Sequence, residues 1–126
     1  MSITHTISLE ELVERYVAIW NDPDPATRSA AIPHLWVENG VNFTSSLEAR
    51  GYPALEARIA GAHDRYVATG EHWFRSCGVV QSHHGAARVR WEMVRTESGE
   101  VAASGCEFFV LADDGRIDAD YQFPEP

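Results

Sequence analysis

The second half of the chain contains four strand-like segments separated only by short spacers, and this feature most constrains the fold. Each spacer contains a glycine, and short glycine-containing spacers between alternating segments are typical of β-hairpins. We therefore predict a sequential antiparallel meander. Its strands are 72–80, 87–96, 101–112 and 116–123, and its spacers are 82–85, 97–100 and 113–115.

Strands of about ten residues twist and curve strongly. Gly78 and Gly105 stand alone inside two of the predicted strands. An isolated strand glycine indicates a bulge or a tight bend. The meander is therefore predicted to form a curved sheet.

The first half of the chain predicts three helices. Ser8 and Glu11 form an S-x-x-E capping box, and apolar residues follow at helical spacing up to Trp20. A second helix is predicted after Asp24, with Pro25 in its first turn, and a third begins at Pro53.

The segment between the second and third helices predicts an irregular connection. We expect Pro33 to end or bend the second helix and 34–36 to form one further irregular turn. Residues 38–40 read as a turn in which Gly40 adopts a positive φ, and 41–46 read as a short strand. Gly70 is expected just past the end of the third helix.

Three helices followed by a meander predict one α+β domain over residues 1–126. The expected architecture is a long, curved antiparallel sheet closed by the three N-terminal helices. Such an arrangement leaves a concave apolar interior, which is where a small molecule would bind.

The charge of the chain excludes some classes of partner. Nineteen acidic residues face ten basic ones, all arginine, so the net charge is −9. A nucleic-acid surface needs clustered Lys and Arg, and anionic lipids attract basic segments. We therefore expect neither a nucleic-acid nor a membrane partner.

Cellular location is predicted from three absences in the sequence. Two cysteines do not make a disulfide framework. The first ten residues show no signal-peptide pattern, and no apolar run reaches the roughly 20 residues of a membrane span. The expected location is the cytoplasm.

Four stretches together resemble the nuclear transport factor 2-like superfamily, close to its SnoaL-like branch. They are YVAIWN at 16–21, LWVENGV at 35–41, RGYPAL at 50–55 and DGRI at 114–117. The resemblance covers essentially the whole chain. It implies the cone-shaped, cystatin-like roll with a pocket, and a homodimer formed through the sheet. Because members include isomerases, cyclases, epoxide hydrolases and binding proteins, the fold alone does not define a reaction.

Asp120 is the first candidate catalytic residue. It lies in the last strand, where the segment resembles the position of a pocket aspartate in cyclases and epoxide hydrolases of the superfamily. A carboxyl in an apolar pocket has a raised pKa and can act as a general acid or base. Alternation of Asp118, Asp120 and Gln122 with apolar residues also fits a strand that has one solvent-facing side.

Glu107 is the second candidate, because it interrupts the apolar run 106–110. A carboxylate there needs a partner, since burying it unpaired is costly. The favoured interpretation is a cross-strand ion pair on the outer face of the sheet, with Arg75, Arg88 or Arg90. The same pairing is open to Glu92. The alternative is an arginine–carboxylate network at the base of the pocket.

Two further observations bear on catalysis. Ketosteroid isomerases of the superfamily carry a base in the strand after the second helix, whereas 41–46 contain no carboxylate, so that route is not expected. His63, on the third helix, is a candidate acid or base, or a core histidine. No histidine spacing indicates a metal, and we expect no metal and no cofactor.

The predicted ligand-binding residues are mainly the large aromatic side chains and the polar groups of the strands. They are Tyr16, Trp20, Trp36, Phe43, Phe74, Arg75, Arg90, Trp91, Phe109 and Gln122.

Two functions follow from these features. The first is a cofactor-independent acid–base enzyme acting on an apolar, oxygenated small molecule. The second is a non-catalytic ligand-binding or dimeric interaction module of the same fold.

Overall fold

The computed structural model describes residues 7–125, which form three helices and one six-stranded sheet. The helices are α1 (Leu9–Asn21), α2 (Pro25–Leu35) and α3 (Tyr52–Ala62), and a π-helical turn, His63–Val67, continues α3. The strands are β1 (Trp36–Phe43), β2 (Glu48–Arg50), β3 (His72–His83), β4 (Ala86–Arg95), β5 (Val101–Leu111) and β6 (Ile117–Pro124). No helix in this part of the chain is long and apolar enough to cross a membrane.

The sheet has the order β2-β1-β6-β5-β4-β3. Strands β3 to β6 pair antiparallel in sequence order, so the predicted meander is confirmed. Strand β1 runs parallel to β6, however, which makes the sheet mixed instead of wholly antiparallel. The parallel pair sets Asn42 beside Asp120, and this register builds part of the site described below.

The prediction of a turn at 38–40 was wrong, because these residues lie inside β1. Gly40 is needed there for close packing and has no positive φ. A Cβ on Gly40 would lie 2.8 Å from Cδ1 of Trp36. The pairing with β6 shifts register between Trp36 and Val41, which accommodates the buried indole. The predicted strand at 41–46 is therefore the second half of β1, which ends at Phe43.

The two cap predictions were correct, whereas the second helix does not end at Pro33. The Ser8 hydroxyl accepts a hydrogen bond from Glu11 N at 3.2 Å, and Asp24 Oδ1 accepts one from Ala26 N at 3.0 Å. Pro33 lies inside α2, which continues for two more residues. Because those residues are the last of the helix, the hydrogen bond that proline removes is lost only at its end.

The two isolated strand glycines lie at an irregularity and at a close contact within the sheet. Gly78 adopts a φ of +86° at a register shift in the β3–β4 pair. Gly105 lies under the indole of Trp91, where a Cβ would come within 2.5 Å of the ring. The inner face of the sheet lies toward the helices, and the core residues Leu12, Leu55, Ile59 and Phe109 fill much of the space between them.

Candidate functional site

A cavity of about 540 Å³ lies between α1, α3 and the inner face of the sheet. This size suits a small organic ligand. Its wall is mostly apolar, and the only charged side chains on it are Arg58, Arg65 and Glu107, within the described part of the chain. The lining residues are Tyr16, Val17, Trp20, Thr44, Leu47, Ala57, Arg58, Gly61, Ala62, Arg65, Tyr66, Phe74, Trp91, Met93, Ala103, Glu107, Gln122 and Pro124.

Two carboxyl groups are buried at the side of the cavity. Glu107 on β5 is 1% exposed and Asp120 on β6 is 0% exposed. The Tyr16 hydroxyl of α1 lies between them, 2.6 Å from Glu107 Oε1 and 2.6 Å from Asp120 Oδ2. Glu107 lines the cavity, whereas Asp120 lies behind it.

The three groups must share protons, because a phenol has a single hydrogen. Tyr16 can donate that hydrogen to only one of the two carboxyl oxygens. The other short contact is a hydrogen bond only if that carboxyl is itself protonated and donates to the phenol oxygen. The pair Glu107 and Asp120 therefore carries at most one negative charge.

Burial shifts the acid–base behaviour of all three groups in the direction that this proton sharing requires. Desolvation is the main cause in each case, since the charged form loses its water. It raises the pKa of Asp120 to about 7, against the opposing hydrogen bonds from Tyr16 and Asn42. Burial and the neighbouring Asp120 charge raise the pKa of Glu107 to about 10. The pKa of the Tyr16 hydroxyl is raised well above 10.

A polar chain runs from Asp120 to helix α3. Asn42 donates through Nδ2 to Asp120 Oδ2 at 2.8 Å, and its Oδ1 accepts from Arg58 Nε at 3.2 Å. Arg58 also donates to Gln122 Oε1 at 3.3 Å and lies 5.0 Å from the centre of the Trp20 ring. The positive charge of Arg58 partly stabilises the single negative charge of the carboxyl pair.

The second oxygen of each carboxyl is buried. Glu107 Oε2 and Asp120 Oδ1 have no hydrogen-bond partner among residues 7–125. A buried polar atom without a partner is uncommon and requires an explanation. Both of these oxygens are buried, and of the two residues only Glu107 also lines the cavity.

The prediction that Glu107 forms an ion pair on the outer face of the sheet was wrong. Glu107 shares the inner face of β5 with Gly105 and Phe109, so it points away from the arginines. The outer ion pairs instead belong to Glu92, which lies 2.7 Å from Arg75 and 3.1 Å from Arg90. The alternative prediction, an arginine–carboxylate network beside the cavity, describes Glu107 better. The arginine of this network is Arg58, which was not among the predicted partners.

Of the ten predicted ligand-binding residues, five line the cavity and five do not. Alternation along the strands puts Arg75 and Arg90 on the outer face, as it does Phe43, whose ring stacks on Tyr121 at 4.8 Å. Trp36 and Phe109 are fully buried core residues. Those that line the cavity are Tyr16, Trp20, Phe74, Trp91 and Gln122.

His63 is buried but does not line the cavity. It follows Ala62, which does line it, and one step along a helix turns a side chain by about 100°. The structure therefore does not bring His63 together with Glu107 and Asp120. Among residues 7–125 there is also no group of three or more His, Cys, Asp or Glu that could hold a metal ion.

Sequence reasoning missed Asn42 and Arg58. The signal for Arg58 was present, since it lies three residues after Leu55 and four before Ala62 on the apolar stripe of α3. For Asn42 there was no such signal, because only the parallel pairing of β1 with β6 places it beside Asp120.

Three helices over a strongly curved six-stranded sheet, with a cavity between them, define the nuclear transport factor 2-like, cystatin-like fold. Comparison with solved structures confirms this fold. No family model matches the sequence, and comparison with curated proteins gives no match.

Three of the similar structures are bacterial proteins. One is a proposed isomerase of the SnoaL-like family from Agrobacterium tumefaciens, with a TM-score of 0.81, 23% identity, and coverage of 91% of this chain and 95% of that one. A second is a nuclear transport factor 2-like protein with a cystatin-like fold from Novosphingobium aromaticivorans, with a TM-score of 0.66, 23% identity, and coverage of 90% and 77%. A third is a proposed polyketide cyclase from Sinorhizobium meliloti, with a TM-score of 0.62, 16% identity, and coverage of 90% and 94%. The resemblance predicted from the sequence is thus confirmed at the level of the fold.

Proposed function

We propose that this protein is a cofactor-independent acid–base enzyme acting on a small, apolar, oxygenated molecule in the cavity. The observation that carries the proposal is the Tyr16 hydroxyl held 2.6 Å from both Glu107 and Asp120. Pairs of titratable groups whose pKa values are driven apart by their surroundings are typical of acid–base sites.

In this proposal Glu107 exchanges the proton with the substrate, and Asp120 does so only through Tyr16. The pKa values favour the form in which Asp120 carries the charge and Glu107 is protonated. Moving one hydrogen from Glu107 to the phenol oxygen and the phenol hydrogen to Asp120 gives the reactive form, in which Asp120 donates to Tyr16 and Tyr16 donates to the ionised Glu107. Glu107 Oε2 then accepts a proton from the substrate. When Glu107 is protonated, it returns that proton to a substrate oxygen or to a carbon of the substrate, and the original state is restored.

The reaction class that fits is proton transfer beside a carbonyl group. The sequence argued against the isomerase route because residues 41–46 contain no carboxylate. Asp120 now supplies a carboxyl on the neighbouring strand, in register with Asn42. This supports proton abstraction next to a carbonyl, as in isomerisation or cyclisation. The proposed activities of the Agrobacterium and Sinorhizobium proteins are of the same kind.

The proposal is tested by hydrogen–deuterium exchange at the carbon beside a carbonyl. A panel of apolar ketones, with and without a carboxylate, is incubated with the protein in D₂O and followed by NMR. Wild type is expected to accelerate exchange of at least one compound. Glu107→Gln is expected to lower that rate by at least about 100-fold, the usual contribution of a general base. Asp120→Asn lowers it too, because Glu107 then loses its proton partner.

Glu92→Gln is the matched control, since Glu92 is a carboxylate on the outer face with its own arginine partners. It is expected to keep the wild-type rate. An unchanged rate in Glu107→Gln would remove Glu107 from the mechanism. Binding of panel compounds without any exchange would favour the second candidate, a non-catalytic binding protein.

We further propose that the protein is a homodimer formed through the outer face of the sheet, and that it acts in the cytoplasm. Large apolar side chains are exposed there: Phe108 at 39%, Tyr121 at 38% and Phe123 at 58%. The rings of Phe108 and Tyr121 lie 6.5 Å apart, so these residues form one patch. Contiguous exposed apolar surface is typical of an interaction site.

A further inference from the structure

Two arginines on the cavity wall carry more positive charge than the proton-sharing site balances. Arg58 and Arg65 both line the cavity. Neither forms an ion pair with a carboxylate of residues 7–125, and the same is true of Arg28, Arg88 and Arg95, which do not line the cavity.

The backbone at Arg65 departs from a regular α-helix. Arg65 and Tyr66 lie in the π-helical turn His63–Val67, and both line the cavity. Turns of this type widen the helix and occur frequently at functional sites.

Both guanidinium groups are held against an aromatic ring. Arg58 lies 5.0 Å from the centre of the Trp20 ring, and Arg65 lies 5.2 Å from that of Tyr66. A guanidinium held on a ring face keeps the N–H groups at its edge for an oxyanion. Arg58 uses two of these groups on Asn42 and Gln122, which leaves others for a ligand.

The charges around the cavity do not balance. Arg58 and Arg65 contribute two positive charges, and the Glu107–Asp120 pair contributes at most one negative charge because of its shared hydrogen. No other charged side chain of the described residues lines the wall. The cavity therefore has a net charge of at least +1 in a chain whose net charge is −9.

We infer that the substrate is an apolar organic acid whose single carboxylate binds at Arg58 and Arg65 while its reacting end contacts Glu107. This inference rests on the proposed function for the reacting end and on the charge imbalance for the carboxylate. In the reactive form, in which the carboxyl pair carries one negative charge, one carboxylate brings the site to neutrality. A phosphate monoester, with about −1.5 to −2 charge at neutral pH, would then exceed it. The apolar walls formed by Phe74, Trp91 and Met93 accommodate the rest of the molecule.

The test uses matched pairs of compounds that differ only in charge. Decanoate and decanamide, and 1-naphthylacetate and 1-naphthylacetamide, are titrated against wild type by calorimetry. At least one acid is expected to bind about 10-fold or more tightly than its amide, as a charge-assisted hydrogen bond requires. Arg65→Gln and Arg58→Gln are each expected to abolish most of this preference.

Two control variants separate the pocket charge from general effects. Arg88→Gln removes an exposed arginine of β4 that does not line the cavity, and it is expected to retain the preference for acids. Arg58→Lys retains the positive charge and is expected to recover part of the preference, which a folding defect would not allow.

The inference is overturned if no acid binds more tightly than its amide, including the case in which neither binds. It is also overturned if the preference survives both glutamine variants. The Glu107→Gln variant distinguishes failure of the anion-binding inference from failure of the proposed enzyme activity. Retained acid preference in Glu107→Gln, with no proton exchange even in wild type, would leave the anion site standing and remove the enzyme activity.

Discussion

At the residue scale, the account depends on one hydrogen shared by three side chains. Glu107, Tyr16 and Asp120 come from β5, α1 and β6, so residues far apart in sequence must meet within hydrogen-bond distance. The sequence singled out both carboxylates, Glu107 because it interrupts an apolar run and Asp120 because its segment resembles the position of a pocket aspartate. It did not indicate that the two carboxyls would both contact the Tyr16 hydroxyl, since that contact depends on the strand pairing and on how α1 packs.

The shared proton predicts how stability depends on pH. The folded state retains protons that the unfolded chain releases above about pH 4.5, because both carboxyl pKa values are raised on folding. A state that holds more protons is destabilised as the pH rises. The free energy of unfolding is therefore expected to fall between about pH 5.5 and 8.5, by up to about 1.4 kcal/mol per pH unit for each retained proton.

Urea denaturation followed by circular dichroism measures this dependence. Glu107→Gln removes one of the two titrating groups and the neighbouring charge felt by Asp120, so its stability is expected to change less over the same range. Glu92→Gln is the control with the wild-type slope, because its arginine partners lower the pKa of Glu92 to below this range. Equal slopes for wild type and Glu107→Gln would argue against the raised pKa values.

At the scale of the elements, most of the fold was predictable, and the exceptions have physical causes. Helix caps and hairpin glycines act locally, so α1, the start of α2 and the meander follow from the sequence. The strand β1 was predicted only in part because Gly40 resembles a turn residue. Its actual role is to admit the Trp36 ring, a tertiary contact that no local pattern reveals.

The candidate site was predictable to a similar extent. Tyr16 and Trp20 belong to the apolar stripe of α1, and that stripe correctly pointed them toward the cavity. The faces of the strands could not be assigned from alternation alone, because both faces carry aromatic residues. Arg75 and Arg90 were therefore placed in the site, whereas Arg58 on α3 was overlooked.

At the scale of the whole molecule, the two faces of the sheet have separate roles in this account. The inner face forms the cavity, and the outer face carries the exposed patch of Phe108, Tyr121 and Phe123. Separate faces allow a dimer to form without closing the site.

Sedimentation equilibrium tests the proposed dimer. Phe123→Ser removes the most exposed aromatic residue of the patch and is expected to weaken self-association by about 10-fold or more, as loss of a central aromatic anchor does. Leu47→Ser is the matched control, because Leu47 is a 53% exposed apolar residue that lines the cavity. A wild-type monomer, or equal weakening by both substitutions, would contradict dimer formation through this face.

Carbon-13 NMR of the carboxyl groups measures the protonation of Glu107 and Asp120 and so tests whether they share a proton. The signals of Glu107 Cδ and Asp120 Cγ would be assigned with Glu107→Gln and Asp120→Asn and followed with pH. One of the two carboxyls is expected to remain protonated at pH 7. This pH is about 2.5 units or more above the ordinary pKa of either group. Two carboxylates that both ionise below about pH 5 would contradict it.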